Sequence, residues 1–163
     1  MGEFVGVQTL KELHAKQVEL FRTWAKGGHW EAFHANHYDW WTFPIDAPSS
    51  FGFKYTLDEG SICELSKDEK FVATLRKATE LLMSSWGWDP TRNKFLPNPA
   101  KGQAWANWPI RLAKANRSLV LFKQEDLVQS TRALARDLKA QGHSFEYSGR
   151  DLLPEILGEK SFR

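Results

Sequence analysis

His29, His34 and His37 fall within nine residues of one another, with Glu31 and Asp39 beside them. Neutral imidazoles with a carboxylate form a competent ligand set for zinc or iron, and three ligands with an open position would allow hydrolytic or oxygen chemistry. His34 and His37 stand at i and i+3, on one face of any helix that carries them. The His-Glu-x-x-His arrangement, in which two histidines flank a general base, is missing. Between Trp30, Phe33, Tyr38 and Trp41, the same histidines would serve equally as hydrogen-bonded supports in an aromatic layer. No cofactor is named by the sequence; zinc or iron enters only through this cluster.

The run from His37 to Ile45 sets Tyr38, Trp40, Trp41 and Phe43 around Asp39 just before Pro44. All eight tryptophans lie in two windows, Trp24 to Trp41 and Trp86 to Trp108, so distant parts of the chain are expected to meet over one aromatic region. Each large aromatic buries ~150–250 Å², and Trp and Tyr also need a partner for N–H or O–H, so such a cluster either packs a core or lines a groove. Trp40 and Trp41 are adjacent and cannot face the same way, which leaves at least one for a surface or pocket. Asp39 can accept from an indole or imidazole and fix the loop.

Arg111, Lys114 and Arg117 step by three along one predicted helix, and Arg132, Arg136 and Lys139 mark the next. They could hold phosphate, carboxylate or RNA, with Trp105 or Trp108 stacking on a base. The plain alternative is a solvated helix face, and Glu125, Asp126 and Asp137 interrupt the patch, which disfavours nucleic acid. Cys63 has Glu59 and Glu64 as neighbours, a poor setting for a reactive thiolate, and is expected as a buried helix residue. No nucleophile-elbow motif supports serine chemistry.

The elements that would position these residues read as helices. Thr9 with Glu12 resembles a capping box, and Leu10, Leu13, Leu20, Phe21 and Trp24 recur until Gly27 and Gly28. A short helix is expected from His29 to about His37, followed by an irregular aromatic loop at Pro44 and Pro48. Thr56 with Glu59 and Ser66 with Glu69 offer two further boxes, for a weak helix near Leu57 to Leu65 and a longer one ending about Trp86 and Gly87. Asp89 to Gly102, rich in Pro and Asn, predicts a long loop. Pro109 opens a helix to about Phe122, another spans about Glu125 to Gln141 with Gly142 as its stop, and Ser148 or Asp151 caps a last one through Pro154. Ser144 to Tyr147 is the one candidate extended piece.

The chain has 163 residues, 42% hydrophobic and 26% charged, which places it in the globular class as one domain over residues 1–163, able to bury roughly 70% of its unfolded surface. A formal charge of +2 is too mild to imply nucleic acid or an anionic membrane. The single cysteine excludes an internal disulfide, the N-terminal residues Met1 to Val7 lack a signal or myristoylation pattern, and no apolar run reaches the ~18 residues of a membrane span. A cytoplasmic protein is expected, with no membrane partner.

Tyr38, Trp41, Phe43 and Pro44 fall on the spacing of an aromatic run found in the opioid growth factor receptor conserved region, and the chain resembles that family from roughly Trp24 to Gly142. The Asn107 and Trp108 pair with Arg111, the helix ending at Trp86 and Gly87, and the late helix closing at Gly142 follow in the same order. At the family's His before the Tyr this chain has Asn36, with His37 one place later, and Asp39 and Trp40 replace an apolar and an amide residue. The resemblance implies a helical module, with peptide binding in the family's vertebrate members and no catalytic residues to carry over.

These observations predict an all-α fold: a bundle of five or six helices with long aromatic and Pro-rich loops. The leading expectation is a binding module presenting an aromatic groove to a peptide, a protein or a small apolar ligand. Tyr38, Trp40, Trp41 and Phe43 would form one wall, Trp105 and Trp108 the other, and Arg111 would orient an acidic group. The alternative is a small metal-dependent enzyme using His34, His37 and Asp39, with His29 as a further ligand. A third reading is a structural subunit whose aromatic surface a partner covers.

Overall fold

The computed structural model of the chain describes residues 3–162; Met1 and Gly2 of the N-terminal stretch lie outside the described residues. It is mostly helical, with eight helices among the described residues where five or six were expected. The difference lies in short elements: α2 (Trp30–Ala35), α3 (Asp39–Thr42) and α8 (Leu153–Ile156) are six, four and four residues long. The long helices are α1 (Val7–Lys26), α5 (Glu69–Ser85), α6 (Pro109–Leu121) and α7 (Glu125–Ala140).

Helix α1 buries Leu10, His14, Gln17, Val18 and Phe21, a stripe at three- and four-residue steps that faces α5. The Thr9 box does not cap it. The helix starts two residues earlier at Val7, after Gly6 at φ +94, and no side chain caps its first turn. Nor do Thr56 and Ser66 cap the two helices that follow them. Asp58 accepts from Ser61 N–H at 2.7 Å to start α4 (Glu59–Ser66), and Asp68 accepts from Phe71 N–H at 3.1 Å to start α5. A carboxylate both accepts the orphan amide and meets the positive end of the helix dipole, so an aspartate nearby outcompetes a hydroxyl. Asp68 also takes Lys11 Nζ at 2.9 Å, tying α5 to α1.

His14 is the one histidine of the α1 stripe. Its Nδ1 donates to the Trp41 carbonyl at 3.1 Å, and its Nε2 lies 3.0 Å from the Thr74 hydroxyl, which serves the neutral ring. Burial holds its pKa down at about 4, against partial support for the charged form from the Trp41 and Thr42 backbone. The folded state therefore binds fewer protons than the unfolded one below the ordinary value near 6.5. Stability that is complete above pH 6.5 should fall by ~3 kcal/mol as the pH drops to about 4. Urea unfolding between pH 7 and pH 4 checks this, and His14→Gln should flatten the slope.

Pro109 sits in the first turn of α6, which is buried on nearly every side: Arg111, Leu112, Ala113, Lys114, Ala115, Asn116, Ser118 and Leu119 are all inside. Helix α7 packs along it through Leu127, Leu134 and Leu138 and stops before Gly142 at φ +94. The predicted Pro-rich loop contains a small hairpin, β1 (Trp88–Asp89) with β2 (Lys94–Phe95), because Asp89 Oδ1 collects the N–H groups of Thr91 and Arg92 and Asn93 turns the chain at φ +55. A second hairpin, β3 (Glu146–Tyr147) with β4 (Arg150–Asp151), extends the expected Ser144 to Tyr147 piece. Its turn residues Ser148 and Gly149 both have positive φ, as a two-residue hairpin loop requires. Asp151, not Ser148, meets the last helix, accepting from Leu153 N–H at 3.0 Å. Among the described residues no helix is long and apolar enough to cross a membrane.

Candidate functional site

The aromatic run splits into an inner and an outer layer. Tyr38 and Phe43 are sealed in the core, Tyr38 edge-on to Phe21 with ring centroids 4.7 Å apart. Tyr38 Oη donates to the Phe33 carbonyl at 2.6 Å, and burial raises its phenol above the ordinary range despite the opposing charge of Arg111. These two residues support the site from behind and cannot touch a ligand, contrary to the expectation from sequence.

Arg111 is fully buried rather than solvated. Its Nε donates to Asp39 Oδ1 at 2.8 Å, Nη1 to the Phe33 carbonyl at 2.7 Å and to Tyr38 Oη at 3.0 Å, and Nη2 to the Asn36 carbonyl at 2.9 Å. The guanidinium is also 4.3 Å from the Tyr38 ring centroid and 4.2 Å from that of Trp108. A planar fork with five donors suits this crowded set of acceptors, and the pair of α6 with α3 is thereby locked. With four of its five N–H groups engaged and its side chain sealed from solvent, Arg111 is not placed to orient an incoming acidic group, so the role expected for it is corrected.

Trp40 and Trp41 diverge, as adjacent residues must. Trp41 turns toward α1, where its Nε1 donates to Gln17 Oε1 at 3.3 Å and its ring meets Tyr55 edge-on. Trp105 lies elsewhere again, against Trp86 at 4.8 Å and Phe145 at 6.0 Å. Neither forms part of the groove that Trp40 and Trp108 line. That groove has a volume of about 420 Å³ and runs between α3, the start of α6, the β3–β4 hairpin and Phe162 of the C-terminal tail. Asn107 at φ +59 turns the chain into α6, so that Trp108 stands over Arg111 and meets His37 edge-on at 5.8 Å. Phe51 extends the aromatic surface from Trp40, 4.8 Å away and edge-on.

Lys114 forms part of the groove one helical turn beyond Arg111. The residue is only 8% exposed, its Nζ stands 5.0 Å from the Trp40 ring centroid, and no hydrogen bond or ion pair reaches it among the described residues. Burial lowers its pKa; the Asp39 charge raises it, and Arg111 lowers it further. In sequence Lys114 is one of three basic residues three apart. Only Arg117 of that trio behaves as a surface residue, paired with Asp46 at 2.6 Å.

The expected metal cluster does not form. Asp39 is held by Arg111, His34 Nε2 is 2.8 Å from the Gly102 carbonyl, His37 packs on Trp108, and the exposed His29 ring lies over Gly27. Among the described residues no group of three or more His, Cys, Asp or Glu is placed to hold a metal. Cys63, expected inside, is exposed.

Comparison with models of known protein families, with curated proteins and with solved structures finds no match.

Proposed function

We propose that the chain is a binding module whose groove between Trp40 and Trp108 takes a small apolar ligand. The observation that carries this is the juxtaposition of two half-buried indoles from separate elements across a cleft of about 420 Å³. That volume falls within the ~300–1,000 Å³ of small-molecule sites, and apolar walls with a few polar groups are their usual lining. Size favours a small molecule over the peptide or protein also expected from sequence. The kinship with the opioid growth factor receptor conserved region remains part of the proposal as a matter of fold. Its motif residues Tyr38, Phe43 and Arg111 form the inner support, whereas the ligand contacts come from Trp40, which departs from that motif, and from Trp108.

Rigid preformed aromatics give contact area at little entropic cost, so each indole should act as an anchor. Calorimetric titration with phenylalkanamides from phenylacetamide to phenylbutyramide tests the reading. Trp40→Ala is expected to weaken binding by ~2 kcal/mol, roughly thirtyfold, without unfolding the chain. Equal affinity for the variant and the parent would remove Trp40 from the site, and no binding of any member of the series to the parent would remove the groove.

A further inference from the structure

Two other cavities and one exposed face compete for a role. The cleft between α1 and α5, about 240 Å³, is lined by Lys11 and Asp68, which satisfy each other, and by His14, whose two ring nitrogens already have partners. The polar cleft between Arg132 and the C-terminal tail is occupied by its own contacts: Arg132 Nε donates to the Ile156 carbonyl at 3.0 Å, and Glu155 pairs with Arg150. The shallow face around the exposed Leu20 carries nothing that names an occupant.

The groove itself carries more. Its charged members are Asp39, Lys114 and Arg150, with His37 at one side. Asp39 is engaged by Arg111 at 2.8 Å; Arg150 pairs with Glu155 at 3.1 Å and stands 5.5 Å from the Phe162 ring. Lys114 alone of the three makes no ion pair: the Trp40 ring is its near contact, and Asp39, already bound to Arg111, acts on it only through space. The residue that carries this ammonium is largely buried, no ion pair reaches the charge, and the face of one indole replaces only in part the hydration that burial of the side chain removes. An anion entering the groove would supply what is missing, and the aromatic walls would take the rest of such a molecule.

Resting on the groove reading above, we infer that the ligand is a small apolar monocarboxylate whose carboxylate pairs with Lys114 Nζ while its apolar end lies between Trp40 and Trp108. One cation without an ion pair calls for one anionic group; a second negative charge would meet Asp39. The carboxylate is a better complement than a neutral amide of the same shape, since it brings a full opposite charge to the hydrogen bond that the ammonium can donate to either.

The test compares phenylacetate, phenylpropionate and phenylbutyrate with their primary amides, on the parent chain and on Lys114→Met. At least one acid should bind the parent about tenfold or more tightly than its amide. Lys114→Met should erase that preference, because the variant keeps most of the length of the side chain and removes its charge. Lys114→Gln, which keeps a polar tip, should also lose the preference. Acid and amide binding equally to the parent would overturn the carboxylate inference while leaving the groove reading intact. A preference that survives both substitutions would assign the charge recognition to another residue and overturn it as well. Failure of every acid and every amide to bind the parent would sink the inference together with the groove.

Discussion

Arg111→Ala is expected to destabilise the chain by about 3–5 kcal/mol, the usual consequence of removing one partner of a buried ion pair. Asp39 would remain 5% exposed without its hydrogen-bonded counter-charge, the Asn36 carbonyl would lose its donor, and the Phe33 carbonyl would keep only the Tyr38 hydroxyl. The stacked guanidinium between Tyr38 and Trp108 would leave a void as well. Lysine should not rescue, because a single ammonium cannot reproduce a fork that serves four acceptors on three sides. Replacing both partners, as Arg111→Met with Asp39→Leu, should recover part of the loss by removing the stranded carboxylate. Urea unfolding of the single and double variants measures these terms. A loss below about 1 kcal/mol for Arg111→Ala would mean that the network does not hold α3 to α6.

Trp88→Ala should cost about as much, ~3–5 kcal/mol, for a different reason. Trp88 is fully buried at the start of the β1–β2 hairpin, edge-on to Phe95 with centroids 5.0 Å apart, and its Nε1 donates to Ser130 Oγ of α7 at 3.0 Å. Its loss opens a large cavity between α5, the hairpin and α7 and leaves the Ser130 hydroxyl with only the 3.4 Å contact to the Pro90 carbonyl. A cost of this size should lower the thermal midpoint by roughly 10 °C in a chain of this length. Ligand affinity, measured where the variant is still folded, should be unchanged. Trp40→Ala should show the reverse pattern, with affinity lost and the fold retained. A common defect in both would mean that inner and outer tryptophans are one structure.

The long helices were legible because their apolar stripes repeat at helical steps and glycines mark the ends of α1, α5 and α7; Phe71, Leu75, Ala78 and Leu82 of α5 are all inside. Their starts were less so. Thr56 and Ser66 match a capping-box pattern, yet Asp58 and Asp68 lie closer to the amides that need an acceptor. The site was half visible. Aromatic composition pointed to Trp40 and Trp108, but composition cannot tell a ring that faces a cleft from one that faces α1, and that distinction separates Trp40 from Trp41. Arg111 and Lys114 were the least legible. A basic step of three reads as a wet helix face, and only contacts made across more than seventy positions, such as Arg111 with Asp39, bury it. The histidine cluster failed for the same reason in reverse: close in sequence, His34 and His37 found separate partners and His29 stayed exposed.

The division between a sealed aromatic core and an open aromatic groove is tested most directly by the indole N–H signals of the eight tryptophans in proton–nitrogen correlation spectra, followed while phenylbutyrate is added. The signals of Trp40 and Trp108 should shift saturably while those of Trp86 and Trp88, both buried, stay in place. Movement of Trp86 and Trp88 to the same extent, or saturation of the spectrum with Trp40 and Trp108 unmoved, would contradict the assignment of the groove.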